Sequence, residues 1–354
     1  MSNKPLAPLP PPPGDWLIHT GPFSLLVNQR RAGVLLLLGL LLLLALLFAL
    51  QLGSIAIPPR ELLATLTGSG TPLQELLILK IRLPRVLAVA LAGAALGLAG
   101  CLVQGLVRNR LATPDMIGVN EGGALAIILF SLYLTVGSWP WWASPLGAVL
   151  AALCLYCLCR HPGEQGYRFV ITGIALSELF NAQGQFAMSS QSLAHVASLY
   201  LWSMGNFSGQ TAQSLMPISL CLLLLMPLLL RANRAIAMLT LDSQTASGLG
   251  VAMLPLQLFI LGMAILIAAL GTAIGGPVVF IAMAAPVLAS WLDRAPGLPL
   301  WSAMLCGALL LLASDTLVRL LAAPHEIPTG IMTRLLGGLL LLGLLLHDRH
   351  KVRP

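Results

Sequence analysis

Four charged side chains fall inside stretches that are otherwise apolar: Glu121, Glu178, Asp315 and Arg334. An ionised group at membrane depth is costly. Such residues usually face a bundle interior or a water-filled cavity, and they often mark a path for ions or substrate. Two kinds of chemistry fit them. Glu121, Glu178 or Asp315 can relay protons, as in a proton-coupled secondary transporter. Alternatively the charges pair within the bundle, and Asp315 with Arg334, on adjacent predicted spans, is a candidate pair. Other chemistries find no support. The lysines are Lys4, Lys80 and Lys351, and none follows glycine, so the chain lacks the phosphate-cradling loop G-x-x-x-x-G-K-S/T. The histidines are dispersed, with no H-E-x-x-H helix, and no G-x-S-x-G nucleophile elbow occurs. No enzyme, no metal site and no cofactor is therefore expected. Cys154 and Cys157 form a C-x-x-C, but on a predicted membrane helix they read as packing residues.

The elements that must carry these residues follow from composition. The chain has 354 residues, 58% hydrophobic and 9% charged. A soluble domain carries about 25% charged residues, so lipid must replace water as solvent over much of this surface. A spanning helix needs roughly 20 mostly apolar residues, and backbone groups in hydrocarbon must be satisfied within the segment. The sequence predicts an all-α integral membrane protein with spans at 33–50, 86–106, 116–135, 140–159, 169–189, 211–230, 252–273, 275–292, 299–320 and 327–346. Residues 1–32 form a Pro-rich tail, 33–346 the transmembrane domain, and 347–354 a short basic tail.

Basic residues set the expected orientation. With the N-terminus inside, thirteen of the nineteen Lys and Arg fall on the cytoplasmic side, and so do both termini. The net charge of +7 is thus explained by topology, and nucleic acid is not an expected partner. Arg60, Lys80, Arg82, Arg85 and Arg319 fall outside. They read either as snorkelling side chains or as a basic rim that docks an acidic partner.

Small residues crowd Ala88–Gly100 and Ala264–Gly276, in the second and seventh predicted spans. Small-xxx-small spacing lets helix backbones approach, and the placement hints at two weakly related halves of five helices each. The segment 231–257 is the longest predicted inside after the tail. Asp242 is a plausible N-cap there, and Gly248 and Gly250 would end a short helix suited to a cytoplasmic partner.

Several segments together resemble the FecCD-type permeases of ABC importers for iron–siderophores, haem and cobalamin. Arg82–Ala124 is similar to the family's R-L-P-R, small-residue helix and Q-x-x-x-x-N-P-L-A-x-P-x-x-L-G-V-x-x-G-A. Gly275–Leu292 resembles G-P-I-x-F-V-G-L-x-x-P-H, and Gly307–Gly330 resembles G-A-x-x-L-x-x-A-D-x-x-A-R followed by E-x-P-x-G. Leu239–Val251 is loosely similar to the family's coupling segment. Departures are Arg110 in place of Pro, Val287 in place of His, Asp242 in place of Gly, Glu178 at a usually neutral position, and Leu336-Gly337-Gly338 in place of L-G-A-P.

The resemblance implies a type II ABC importer permease in the inner membrane. It implies a second permease chain, identical or homologous, and two ATP-binding cassette ATPase subunits. It also implies an extracytoplasmic substrate-binding protein and a ferric siderophore cargo. The nearest likeness is to permeases for citrate-type or other carboxylate siderophores, with catecholate and hydroxamate siderophores, cobalamin and haem as alternatives. By the same resemblance Arg82, Arg85 and Arg319 dock the binding protein. Asp242, Ala246, Gly248, Leu249 and Gly250 couple to the ATPase, within a segment of about 239–257. The pathway is expected along the fifth span and its extension, Ala182–Asn206, and charge reversal at Arg82 and Arg85 is expected to leave the fold intact.

Overall fold

The computed structural model describes residues 15–20, 23–53, 56–134, 140–159, 166–237, 248, 252–295, 297–322, 325 and 327–351. Thirteen α-helices are used below. They are α1 Gln29–Gln51, α2 Pro59–Leu66, α3 Pro72–Glu75, α4 Leu83–Val107, α5 Val119–Tyr133, α6 Ala143–Cys159 and α7 Gly166–Ser189. The remainder are α8 Leu193–Ser203, α9 Ala212–Ala237, α10 Met253–Gly275, α11 Ile281–Asp293, α12 Leu300–Ala322 and α13 Thr329–Lys351. A π-helical stretch, Leu76–Arg82, joins α3 to α4, and a 3-10 turn, Pro114–Ile117, precedes α5.

Each predicted span has a helix, with informative differences at the edges. The tail contains an antiparallel hairpin, β1 Asp15–Thr20 with β2 Phe23–Asn28, in register from Asp15 opposite Asn28 to Thr20 opposite Phe23. Asn28 then caps α1, its Oδ1 accepting from the Arg31 N–H at 3.1 Å. The eighth span does not begin at 275. Gly276 takes φ 84° and Phe280 φ 73°, so the chain turns and α11 starts only at Ile281. With 13 residues, α11 is about 20 Å long at 1.5 Å per residue, short of a hydrocarbon core about 30 Å thick. The ring of Phe280 occupies the space where a Cβ on Gly337 of α13 would sit. Among the described residues, five helical stretches are long and apolar enough to cross a membrane: Gln29–Gln51, Pro72–Val107, Ala212–Ala232, Met253–Gly275 and Leu300–Ala322.

Helix α4 is the centre of the bundle, packed against α10, α11 and α12. Glycine makes this possible. A Cβ on Gly93 or Gly97 would strike the backbone of α12 at Gly307 or Ala303, and one on Gly100 would strike Ala282 of α11. Gly271 of α10 lies against Ala92 and Ala95. The two small-residue segments noted in the sequence therefore face each other. With lipid as apolar as leucine, such packing replaces the hydrophobic effect as the force between helices. Large apolar side chains point the other way, as at Leu36, Leu37 and Leu40 of α1 and Leu220, Leu223 and Leu224 of α9, all more than half exposed.

Candidate functional site

Where α1 stops and α4 starts, the chain builds a buried ionic cluster. The π-helical turns lead into Pro84, which has no N–H to return to the preceding turn, and they place Arg82 and Arg85 one turn apart. Arg85 Nη2 lies 2.9 Å from Asp315 Oδ1 on α12. Arg319, one helical turn beyond Asp315, brings Nε to 3.0 Å from Oδ2. Thr329 at the start of α13 donates its hydroxyl to Asp315 Oδ1 at 2.8 Å, and Arg85 Nη1 donates to Ser208 Oγ at 3.1 Å. Asp315 is fully buried, and the Arg85 and Arg319 side chains are only 14% and 12% exposed.

The same cluster finishes α1. A helix end leaves four carbonyls without intrahelical partners. Here Arg82 Nη1 donates to Leu50 O at 2.9 Å and Gln51 O at 3.1 Å. Arg319 Nη1 donates to Ala49 O and Leu52 O, each at 3.2 Å. Cationic side chains also suit the negative end of the helix dipole. Gly53 leaves room at the exit, since a Cβ there would come within 2.7 Å of the Arg82 guanidinium and displace it.

Arg82, Arg85 and Arg319 are thus brought together, as the docking reading requires, but all three are committed to partners inside the chain. The candidate Asp315–Arg334 pair does not form, because Arg85 and Thr329 bond Asp315 Oδ1 and the Arg319 guanidinium lies against Oδ2. The expectation that reversing Arg85 leaves the fold intact falls with it, since Glu at 85 would face buried Asp315. Ser208, Thr329 and the α1 carbonyls carry no sequence signal of their own, because only the folded chain makes them neighbours.

A second group of polar residues lines a cavity of about 200 Å³ between α5, α7, α8 and α13. Its polar walls are Glu121, Asn181, Gln185, Tyr200, Ser203 and Arg334. Gly118, at φ 75°, turns the chain from the 3-10 segment into α5 and puts Glu121 in that helix's first turn. Gly173 of α7 lies against the Met116 carbonyl, so α5 begins part-way along α7 rather than at its end. Gln185 Nε2 donates to Asn181 Oδ1 at 3.1 Å. Along α7 the residues Glu178, Asn181, Gln185 and Ser189 are all exposed on the isolated chain and recur at spacings of three and four, one helix face.

At the opposite end, Arg31 Nε on α1 meets buried Asp293 Oδ2 at 2.8 Å, and Ser302 Oγ donates to the same oxygen at 3.2 Å. Of the expected coupling residues, Gly248 is helical and exposed, whereas Asp242, Ala246, Leu249 and Gly250 lie outside the described residues.

Residues 41–347 match the model of the FecCD transport family. The chain belongs to the FecCD family. Among FecCD relatives, it is 32% identical to the ferric enterobactin transport system permease protein of Escherichia coli, over 92% of this chain and 99% of the relative. It is 33% identical to the achromobactin transport system permease protein of Dickeya dadantii, over 93% of this chain and 96% of the relative. A solved chain of a metal-chelate type ABC transporter in an inward-facing conformation superposes with a TM-score of 0.78 at 27% identity, covering 90% of this chain and 99% of that one.

Proposed function

We propose that this FecCD chain is the pathway-forming permease subunit of an ABC importer that carries iron(III)–siderophore complexes across the inner membrane. The observation that carries this reading is the match over nearly the whole length to permeases named for ferric enterobactin and achromobactin. The geometry supports it: the exposed polar face of α7 and the cavity beside it are unsuited to lipid and fit a water-filled path for polar cargo. Alternating access would then tilt the bundle about that path, with ATP hydrolysed by separate ATPase subunits.

The assembly we propose has two permease chains, two ATPase subunits against the 239–257 segment, and a binding protein on the outer face, with both termini of the permease inside. The binding protein would sit over the end of the bundle where Arg82, Arg85 and Arg319 converge. Its acidic groups would compete with Asp315 for the partly exposed edges of Arg85 and Arg319, so docking and the internal cluster would be linked.

The experiment is uptake of radiolabelled iron chelates into a strain whose only ferric-chelate permease is this chain, with a normal or a hydrolysis-dead ATPase partner. Uptake that requires ATP hydrolysis supports the reading. Uptake that persists with the dead ATPase and collapses with an uncoupler would instead support a proton relay through Glu121 and Glu178.

A further inference from the structure

The cavity between α5, α7, α8 and α13 holds two opposite charges that do not pair. Glu121 and Arg334 both line it and are within electrostatic reach of each other. Yet among the described residues Arg334 makes no hydrogen bond or close ion pair, and it is exposed on the isolated chain. The contrast with Asp315 is direct, since both oxygens of that carboxylate are taken. An arginine left open at membrane depth faces a cavity or pathway rather than lipid. Around it lie Asn181, Gln185, Tyr200 and Ser203. Gln185 already donates to Asn181 Oδ1 and the Ser203 hydroxyl to the Tyr200 carbonyl, and the amide hydrogens left on Asn181 and Gln185 can donate to oxygen.

We propose that Arg334 is a specificity-determining residue of the pathway: it reads anionic oxygens on the passing iron chelate and favours carboxylate- or catecholate-bearing cargo over cationic chelates. The inference rests on the permease reading above and names the substrate class of that same path. A guanidinium offers a planar fork matched to carboxylate oxygens. The cavity, at about 200 Å³, is smaller than the roughly 300–1,000 Å³ of a site that encloses a small molecule, so it takes one arm of the chelate and not the whole. Glu121, which lines the same cavity, keeps the site from holding that arm too tightly. Passage requires binding strong enough to enter and weak enough to leave.

The test uses the complete importer in a strain without other ferric-chelate permeases. Initial uptake of iron is measured from ferric citrate, an anionic chelate, and from ferrioxamine B, a cationic one, for the wild type, Arg334→Gln and Arg334→Lys, with membrane levels of each variant measured alongside. The expected result is that the wild type takes up ferric citrate and that Arg334→Gln lowers this uptake about tenfold, the order of one charge-assisted hydrogen bond. Arg334→Lys should restore part of it, and any uptake of the cationic chelate should stay unchanged or rise. Equal loss for both chelates, no loss for either, or a wild type that takes up only the cationic chelate would overturn the proposal. A wild type that takes up no ferric chelate at all would remove the permease reading itself, and the inference with it.

Discussion

Arg85 and Asp315 stand 230 positions apart in sequence and 2.9 Å apart in the fold. Their contact ties the start of α4 to α12, and Arg319 closes the triad from the other oxygen. Removing one partner of a buried pair leaves an uncompensated charge, at a cost of about 3–5 kcal/mol. Asp315→Ala strands two guanidiniums, whereas Arg85→Ala leaves Asp315 with Arg319. Thermal unfolding of the purified protein in detergent should therefore rank Asp315→Ala as more destabilised than Arg85→Ala.

Charge reversal sharpens the same point. Arg85→Glu should place a carboxylate against buried Asp315 and lower the yield of folded protein, not merely weaken docking. The double variant Arg85→Glu with Asp315→Arg should recover part of the yield by restoring opposite charges. Size-exclusion profiles of the single and double variants in detergent check this. Equal, wild-type-like profiles would contradict the internal role of the cluster.

The segment around Arg82–Ala124 was legible because its residue types carry the reason for their spacing. Small residues had to pack, and Gly93, Gly97 and Gly100 do pack backbone to backbone. The Asp315 partner was misjudged because adjacency of spans says nothing about which helix faces turn together. Arg334 lies on a different face of α13 from Thr329, and only Thr329 reaches Asp315. The start of α11 was misplaced because Val278–Phe280 are apolar, yet positive φ at Gly276 and Phe280 forbids helix there. The hairpin at 15–28 was hidden under a Pro-rich reading of the whole tail.

Glycine at the α4–α12 crossing gives an independent prediction. A Cβ on Gly307 would overlap the Gly93 carbonyl. Overpacking of this kind costs about 1–3 kcal/mol, so Gly307→Ala should lower the unfolding temperature. Gly39→Ala on α1, which meets nothing within 4 Å, should be neutral or slightly stabilising through helix propensity.

The other end of α1 is held by Arg31 on Asp293, which is 1% exposed. Asp293→Ala would leave Arg31 and Ser302 without that acceptor and free the N-terminal half of α1 from α11. Limited proteolysis near residue 31 should accelerate in Asp293→Ala relative to the wild type, while Ser302→Ala should have the smaller effect.

The central claim is that this chain forms an ATP-driven path for ferric siderophores. The most direct measurement is accumulation of radiolabelled ferric siderophore in proteoliposomes containing the permease and its ATPase partner. The ATP and the cargo-loaded binding protein are placed on their respective sides. The account predicts accumulation that begins on ATP addition and is absent with a hydrolysis-dead ATPase. Accumulation without ATP hydrolysis, driven by a proton gradient alone, would contradict it.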